Sequence, residues 1–217
     1  MRHVLLLLAV AWPSSSLGQV AGGAGWYVEV DAVRSAIEGD FDGDSVLEGE
    51  DDVFLVPDLE PAYGFAVKVG GRSREGSFSI GYARAAHDAT FASATGEATW
   101  AAVAFEFRAF LLRGGRIEPY LQLGWVPWSS LRVKDAAGII STGEVSDAIF
   151  VNNIWNWSIG AGTNVHLVAG LSATGTVVYR AHNYRAVKSS AEDTPLEIEN
   201  GLNGRALGFE LGMAFRF

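Results

Sequence analysis

The sequence predicts an all-β chain: an eight-stranded antiparallel up-and-down transmembrane β-barrel with short turns at one end and long loops at the other. Three observations carry this reading. Large apolar residues recur at every second position through eight stretches, and no stretch keeps a helical period. The positions between them hold Gly, Ala, Ser, Thr and isolated charges of both signs. The connections alternate long and short from one end of the chain to the other.

The last stretch, Asn203 to Phe217, shows the pattern most plainly. Leu207, Phe209, Leu211, Met213, Phe215 and Phe217 alternate with Gly208, Glu210, Gly212, Ala214 and Arg216. Side chains alternate across a strand, so one face is apolar and the other polar. The same division runs through the rest. Trp26 to Val33 sets Trp26, Val28 and Val30 against Tyr27, Glu29 and Asp31. Leu59 to Val69 sets Tyr63, Phe65 and Val67 against Glu60, Gly64 and Lys68. Ser77 to Ala85 sets Phe78, Ile80 and Tyr82 against Ser77, Ser79 and Gly81. Ala98 to Leu111 sets Val103, Phe105 and Phe107 against Ala104, Glu106 and Arg108. Arg116 to Trp128 sets Leu121, Leu123 and Trp125 against Glu118, Gln122 and Gly124. Ile154 to Val165 sets Trp155, Trp157 and Ile159 against Asn156, Ser158 and Gly160. Leu171 to His182 sets Leu171, Val177 and Tyr179 against Thr174, Thr176, Arg180 and His182. Most of these alternations approach the length a tilted membrane strand needs. An even number of strands lets the first and last pair, leaving no edge open in lipid.

Short connections fall at 70–76, 112–115 and 166–170. Longer ones fall at 35–58, 86–97, 129–153 and 183–202. Short periplasmic turns and longer extracellular loops produce this order. Residues 1–18 read as a secretory signal: a basic Arg2-His3 start, an apolar run to Trp12 and a small-x-small site at Ser16-Leu17-Gly18. Residues 19–217 are then the barrel domain. The chain has no cysteine, so neither a disulfide framework nor a Cys metal site is available.

Alternation alone does not say which face is inside. A lipocalin-type barrel, with an apolar cavity and a polar exterior, is the rival assignment. The small residues of the polar face argue for an interior. So do two aromatic belts, Trp26 with Phe217 near one rim and Trp100, Trp125, Trp128, Trp155 and Trp157 towards the other. Charges placed inside must pair. The expected interior network holds Glu29, Asp31, Glu60, Lys68, Glu106, Arg108, Glu118, Arg180, Glu210 and Arg216. Lys68 is expected near Glu29, and Arg108 near Glu118. A barrel of eight strands is filled by its own side chains, so no open pore is expected.

The net charge of −9 is concentrated between Ser35 and Glu60, where ten acids stand with no Lys or Arg. That sign excludes nucleic acid as a partner. Asp40, Asp42 and Asp44 have the spacing of the first ligands of a calcium loop. Ser45 replaces the turn glycine, and Asp51 stands where a bidentate Glu belongs. Weak Ca²⁺ or Mg²⁺ binding by Asp40, Asp42, Asp44 and Asp51 is one reading, and a solvated acidic loop is the other. No further cofactor is expected. The histidines beyond the signal segment, His87, His166 and His182, do not fall into a Ser–His–acid pattern along the sequence, so no enzymatic activity is expected. Arg84 is the one charge on the apolar face of its strand. It either meets a lipopolysaccharide phosphate or turns inward at a bulge.

The strands rich in Gly and aromatics, the segments PYLQLGW and TVVYR, and the terminal Phe make the chain similar to bacterial outer-membrane β-barrel proteins, the OmpA-like and OmpX-like membrane domains. The resemblance implies residence in the outer membrane of a Gram-negative-type bacterium, among outer-membrane lipid and lipopolysaccharide. It also implies delivery by the barrel-assembly machinery, with Phe215 and Phe217 as the assembly signal. The function expected is structural or surface-interacting through acidic extracellular loops. An OmpW-like channel for small solutes is the alternative, and a lipid A-modifying enzyme stands third.

Overall fold

The computed structural model describes residues 24–49, 52–91, 94–112, 114–139, 143–152, 156–191 and 194–217. The signal read over 1–18, Asp51 and Trp155 lie outside the described residues. Twelve strands are present among them: β1 (Gly25–Gly39), β2 (Val46–Glu48), β3 (Asp52–Leu55), β4 (Asp58–Leu59), β5 (Ala62–Arg72), β6 (Gly76–Phe91), β7 (Ala94–Phe110), β8 (Ile117–Ile139), β9 (Glu144–Asn152), β10 (Asn156–Val168), β11 (Leu171–Ser189) and β12 (Leu196–Arg216). Eight of them form a closed antiparallel ring in the order β1, β5, β6, β7, β8, β10, β11, β12. β12 pairs back onto β1 from Tyr27–Arg216 to Gly39–Gly204. These eight are the strands the alternation marks, and closure leaves the ring no free edge.

The faces divide as hydrophobic periodicity requires. Trp26, Val30, Phe65, Val67, Phe78, Ile80, Leu121, Leu123, Val177, Leu211 and Phe215 lie exposed on the outside of the ring. Glu29, Asp31, Lys68, Arg108, Gln122 and Glu210 are buried within it. An exposed apolar belt around a polar, filled middle is the inverse of a soluble barrel. It satisfies every strand only if the solvent outside is hydrocarbon.

The aromatic belts need one correction. Trp125, Trp128 and Trp157 face outward, but Trp100 is buried inside. It shares the parity of Ala102 and Glu106, the inward positions of β7. Trp125 and Trp128, three apart, face the same side because a bulge intervenes. Pairing with β7 jumps from Val103–Trp128 to Phe105–Trp125, and Val126 and Pro127 take up the extra residue.

The expected long loops also differ, because much of their length is sheet. β6 and β7 run on as a ladder to Phe91–Ala94, where a loop over 86–97 was expected. β8 continues to Ile139, and β9 bridges the outer ends of β8 and β11. The first connection folds inward: β3 adds to the far end of β8, and β4 pairs with β6. Its apolar residues explain this. Phe41, Phe54, Val56 and Leu59 join Ile37, Trp100, Leu131, Phe150, Tyr184 and Val187 in one buried cluster. Exposing them to water would forfeit roughly 1.5–3 kcal/mol each. Glu60 is corrected as well. It is exposed just ahead of Pro61, its N–H donating to the Asp88 carbonyl, and it takes no part in the interior network.

Candidate functional site

Three layers fill the barrel. At mid-height, four carboxylates, Glu29, Asp31, Glu106 and Glu210, meet three cations, Lys68, Arg108 and Arg180. Lys68 is the hub. Its ammonium lies 2.6 Å from Glu210, 3.0 Å from Glu106, 3.3 Å from Asp31 and 3.6 Å from Glu29. Glu29 is its direct cross-strand partner on β1. Arg108 binds Glu29 through both terminal nitrogens, at 2.7 and 2.6 Å, and Gln122 through Nε at 3.1 Å. Arg180 pairs with Glu210. Thr174 donates to Asp31 at 3.2 Å. Glycines make the room: a Cβ on Gly212 would lie 2.0 Å from an Asp31 oxygen, and one on Gly208 2.7 Å from an Arg180 nitrogen. Burying charge is tolerated only with such partners. A void of about 20 Å³ beside Lys68, Glu106 and Arg180 has room for a single water.

Above this layer His182 lies edge-on to Trp100 and stacked on Tyr184. Neither His182 ring nitrogen has a hydrogen-bond partner among the described residues. His87 is buried nearby, its Nδ1 2.9 Å from the Glu60 carbonyl, to which it donates. β6 carries its outward apolar residues only as far as Tyr82, so His87 stands beyond the membrane-facing stretch. Burial holds its pKa below the ordinary histidine value. The apolar cluster of the first connection closes the outer end above these rings, with Phe41 edge-on to both Phe150 and Tyr184.

Below the charge layer, at the short-turn end, opens a cavity of about 500 Å³. Arg72, Arg108, Arg116, Arg216, Glu29, Asn164, His166 and Ser172 are among its lining residues. Glu118 lies beside it and gathers Arg72, the Gly114 N–H at 3.2 Å and His166 Nε2 at 2.7 Å. Arg108, expected beside Glu118, is instead held by Glu29, and Arg72 takes its place. A charge-paired carboxylate only accepts, so His166 Nε2 carries the hydrogen in the neutral ring. Nδ1 then accepts from the Ser172 hydroxyl at 2.8 Å. Ser172 and His166 are cross-strand partners on β10 and β11, beside a register shift at the turn. The row Ser172–His166–Glu118 was invisible in the sequence because Glu118 comes from a third strand.

On the outside, Arg84 is exposed and no bulge turns it inward, its strand pairing in unbroken register. Arg34, one position past the predicted end of its strand, is likewise exposed on the apolar face, opposite Tyr63 and Phe209. In the acidic segment, Asp42 is turned onto its own loop. It accepts from the Asp44 and Ser45 N–H groups at 3.0 and 2.9 Å and from the Ser45 hydroxyl at 2.8 Å. Asp40 accepts from the Asn203 N–H at 2.8 Å. Among the described residues, no three His, Cys, Asp or Glu side chains group around a point where a metal ion would sit. Phe215 and Phe217 lie exposed on the belt at the short-turn end, their rings stacked.

No protein-family model and no curated protein matches the chain. Solved structures do. Neisserial surface protein A aligns at 13% identity and a TM-score of 0.56, over 90% of this chain and 99% of that one. OprG from Pseudomonas aeruginosa aligns at 9% identity and 0.52, over 91% and 98%. The Yersinia pestis protein Ail, in complex with the heparin analogue sucrose octasulfate, aligns at 12% identity and 0.51, over 90% and 99%. At these identities the likeness is one of fold. That fold is the outer-membrane β-barrel. With the exposed apolar belt, it makes the chain an integral outer-membrane barrel of eight strands.

Proposed function

We propose that this barrel is a closed, non-enzymatic membrane protein that works from its outer surface, with no conducting path. One observation carries the reading. The interior is stopped twice, by the charge layer around Lys68 and by the apolar cluster around Phe41, Phe54 and Phe150. Outside, the exposed acids Glu38, Asp40, Asp42, Asp44, Glu48, Asp58 and Glu60 favour a cationic partner. The sulfated ligand of Ail carries the opposite charge to the one this exterior suits. Arg34 and Arg84, at the edge of the belt, would anchor the barrel to lipopolysaccharide phosphates. Purified protein in planar bilayers is expected to give no single-channel steps. Reproducible unitary conductance would overturn the closed reading in favour of a small-solute channel.

A further inference from the structure

We propose that the open edge of β2, at the outer mouth of the barrel, takes up an extended basic polypeptide segment as an added strand. This rests on the reading of an exterior suited to a cationic partner, and it names how that partner is held. In the sheet order β2 is a terminal strand. β3 pairs with it on one side, and among the described residues no strand pairs on the other. The direction of its backbone follows from its two ends. The Val56 N–H donates to the Ser45 carbonyl at 3.0 Å, and the Gly49 N–H to the Asp52 carbonyl at 2.7 Å. Bonding alternates along an antiparallel strand, so Ser45, Leu47 and Gly49 turn towards β3, while Val46 and Glu48 present N–H and carbonyl groups to the open side. Both residues are exposed. An edge of this kind is a template for a further strand.

Side chains decide which strand fits. Leu47 and its cross-strand partner Phe54 lie on the inner face, against the buried cluster. Val46 and its partner Leu55 are exposed on the outer face. That face continues across β3, β8 and β9 through Val53, Gly138 and the exposed Val145. An added strand therefore meets an apolar neighbour at two successive positions, Val46 outside and Leu47 inside, and a carboxylate at the third, Glu48. Asp44, also exposed, stands just ahead of the strand. The complement of this edge is two adjacent apolar residues with Lys or Arg on either side. A second copy of this chain is a poor occupant. Edge-to-edge pairing would bring two acidic segments to about 4.8 Å, against the repulsion of like charges. A short acidic edge thus resists its own kind and admits a basic strand.

The test is binding of a fluorescent peptide, Thr-Lys-Val-Val-Lys-Thr with blocked ends, to the full barrel in non-ionic detergent at low salt, read by anisotropy. Saturable binding is expected between micromolar and low millimolar peptide, weakening as salt is raised. Val46→Pro removes an N–H on the open side and leaves the bonds to β3 in place, so it should weaken binding by about tenfold. Methylating the backbone nitrogens of both peptide valines should do the same, and this arm holds even if the Val46 variant fails to fold. Glu48→Gln is expected to weaken binding by about threefold and to reduce its salt dependence. Asp88→Asn, at an exposed acid on β6, should leave it unchanged. Equal binding of the methylated peptide would overturn strand addition while leaving a cationic partner in place. Equal binding of the acidic analogue Thr-Glu-Val-Val-Glu-Thr would overturn the cationic reading, and strand addition by a basic segment with it. No saturable binding of the basic peptide, or equal weakening by Asp88→Asn and Glu48→Gln, would overturn the assignment to β2.

Discussion

Replacing Lys68 by Met removes the hub of the interior and leaves its carboxylates in place. Four acids lie within 3.6 Å of the Lys68 ammonium. At an effective dielectric of about 20, one contact near 3 Å amounts to roughly 5 kcal/mol before the cost of taking the ions out of water. That cost cancels most of the gain in an intact pair but does not vanish when one partner is deleted. The variant keeps Arg108 and Arg180 against four acids, so the layer moves from four against three to four against two. We expect a loss of about 3–5 kcal/mol of stability, in line with other broken buried pairs. The assay is urea unfolding of the barrel in lipid vesicles, followed by tryptophan emission. The double variant Lys68→Met with Glu210→Gln should recover part of the loss, since it removes the carboxylate nearest the missing charge. A Lys68→Met barrel as stable as the parent would show that the acids are solvated, and that the interior is not the sealed layer described.

Three further outcomes follow from other parts of the barrel. Phe150→Ala, at a fully buried ring in contact with Phe41 and Tyr184, should cost about 3–5 kcal/mol. The loss should appear as faster amide exchange in β9 and the first connection, with the belt-bearing halves of the strands unchanged; uniform acceleration would contradict a separate outer section. Because burial depresses His87, the folded outer section excludes its protonated form, whereas the unfolded chain gains a proton below about pH 6.5. Stability of this section should therefore be flat above that pH and fall as the pH drops through it, and His87→Gln should flatten the profile; a slope of opposite sign would refute the assignment. Finally, Ser172 should form no adduct with a fluorophosphonate probe, read by mass spectrometry. A His166-dependent adduct would reverse the non-enzymatic reading and make Ser172–His166–Glu118 a nucleophilic row.

The ring was legible because one face of every strand had to satisfy hydrocarbon. That demand writes itself into alternate positions and survives without any knowledge of partners. Register between neighbours was legible in part: Glu29 does stand opposite Lys68, although a long connection joins their strands, whereas Arg108 stands opposite Gln122 and not Glu118. Contacts across the barrel were not. Arg108 reaches Glu29, and Arg72 reaches Glu118, by spanning the interior between strands that are not adjacent. Alternation says only that such residues face inward, and cylinder geometry chooses the pairs. Trp100 was open to a correct reading, since its parity is that of Glu106, but its size suggested a belt residue. The outer section was hidden for a different reason. Phe41, Phe54 and Val56 stand among acids with no period of two, so they resemble a solvated loop until the barrel mouth gives them somewhere to go.

The stacking of the layers gives the interior a direction. The charged layer has a hydrocarbon-like stopper on one side and an open, arginine-lined vestibule on the other. Small polar reagents added from the cell exterior should meet only the stopper, whereas the same reagents offered from the opposite compartment have an approach to Glu29 and Arg108. The cylinder behaves as a one-ended well, and whatever chemistry its floor responds to must come from the periplasm.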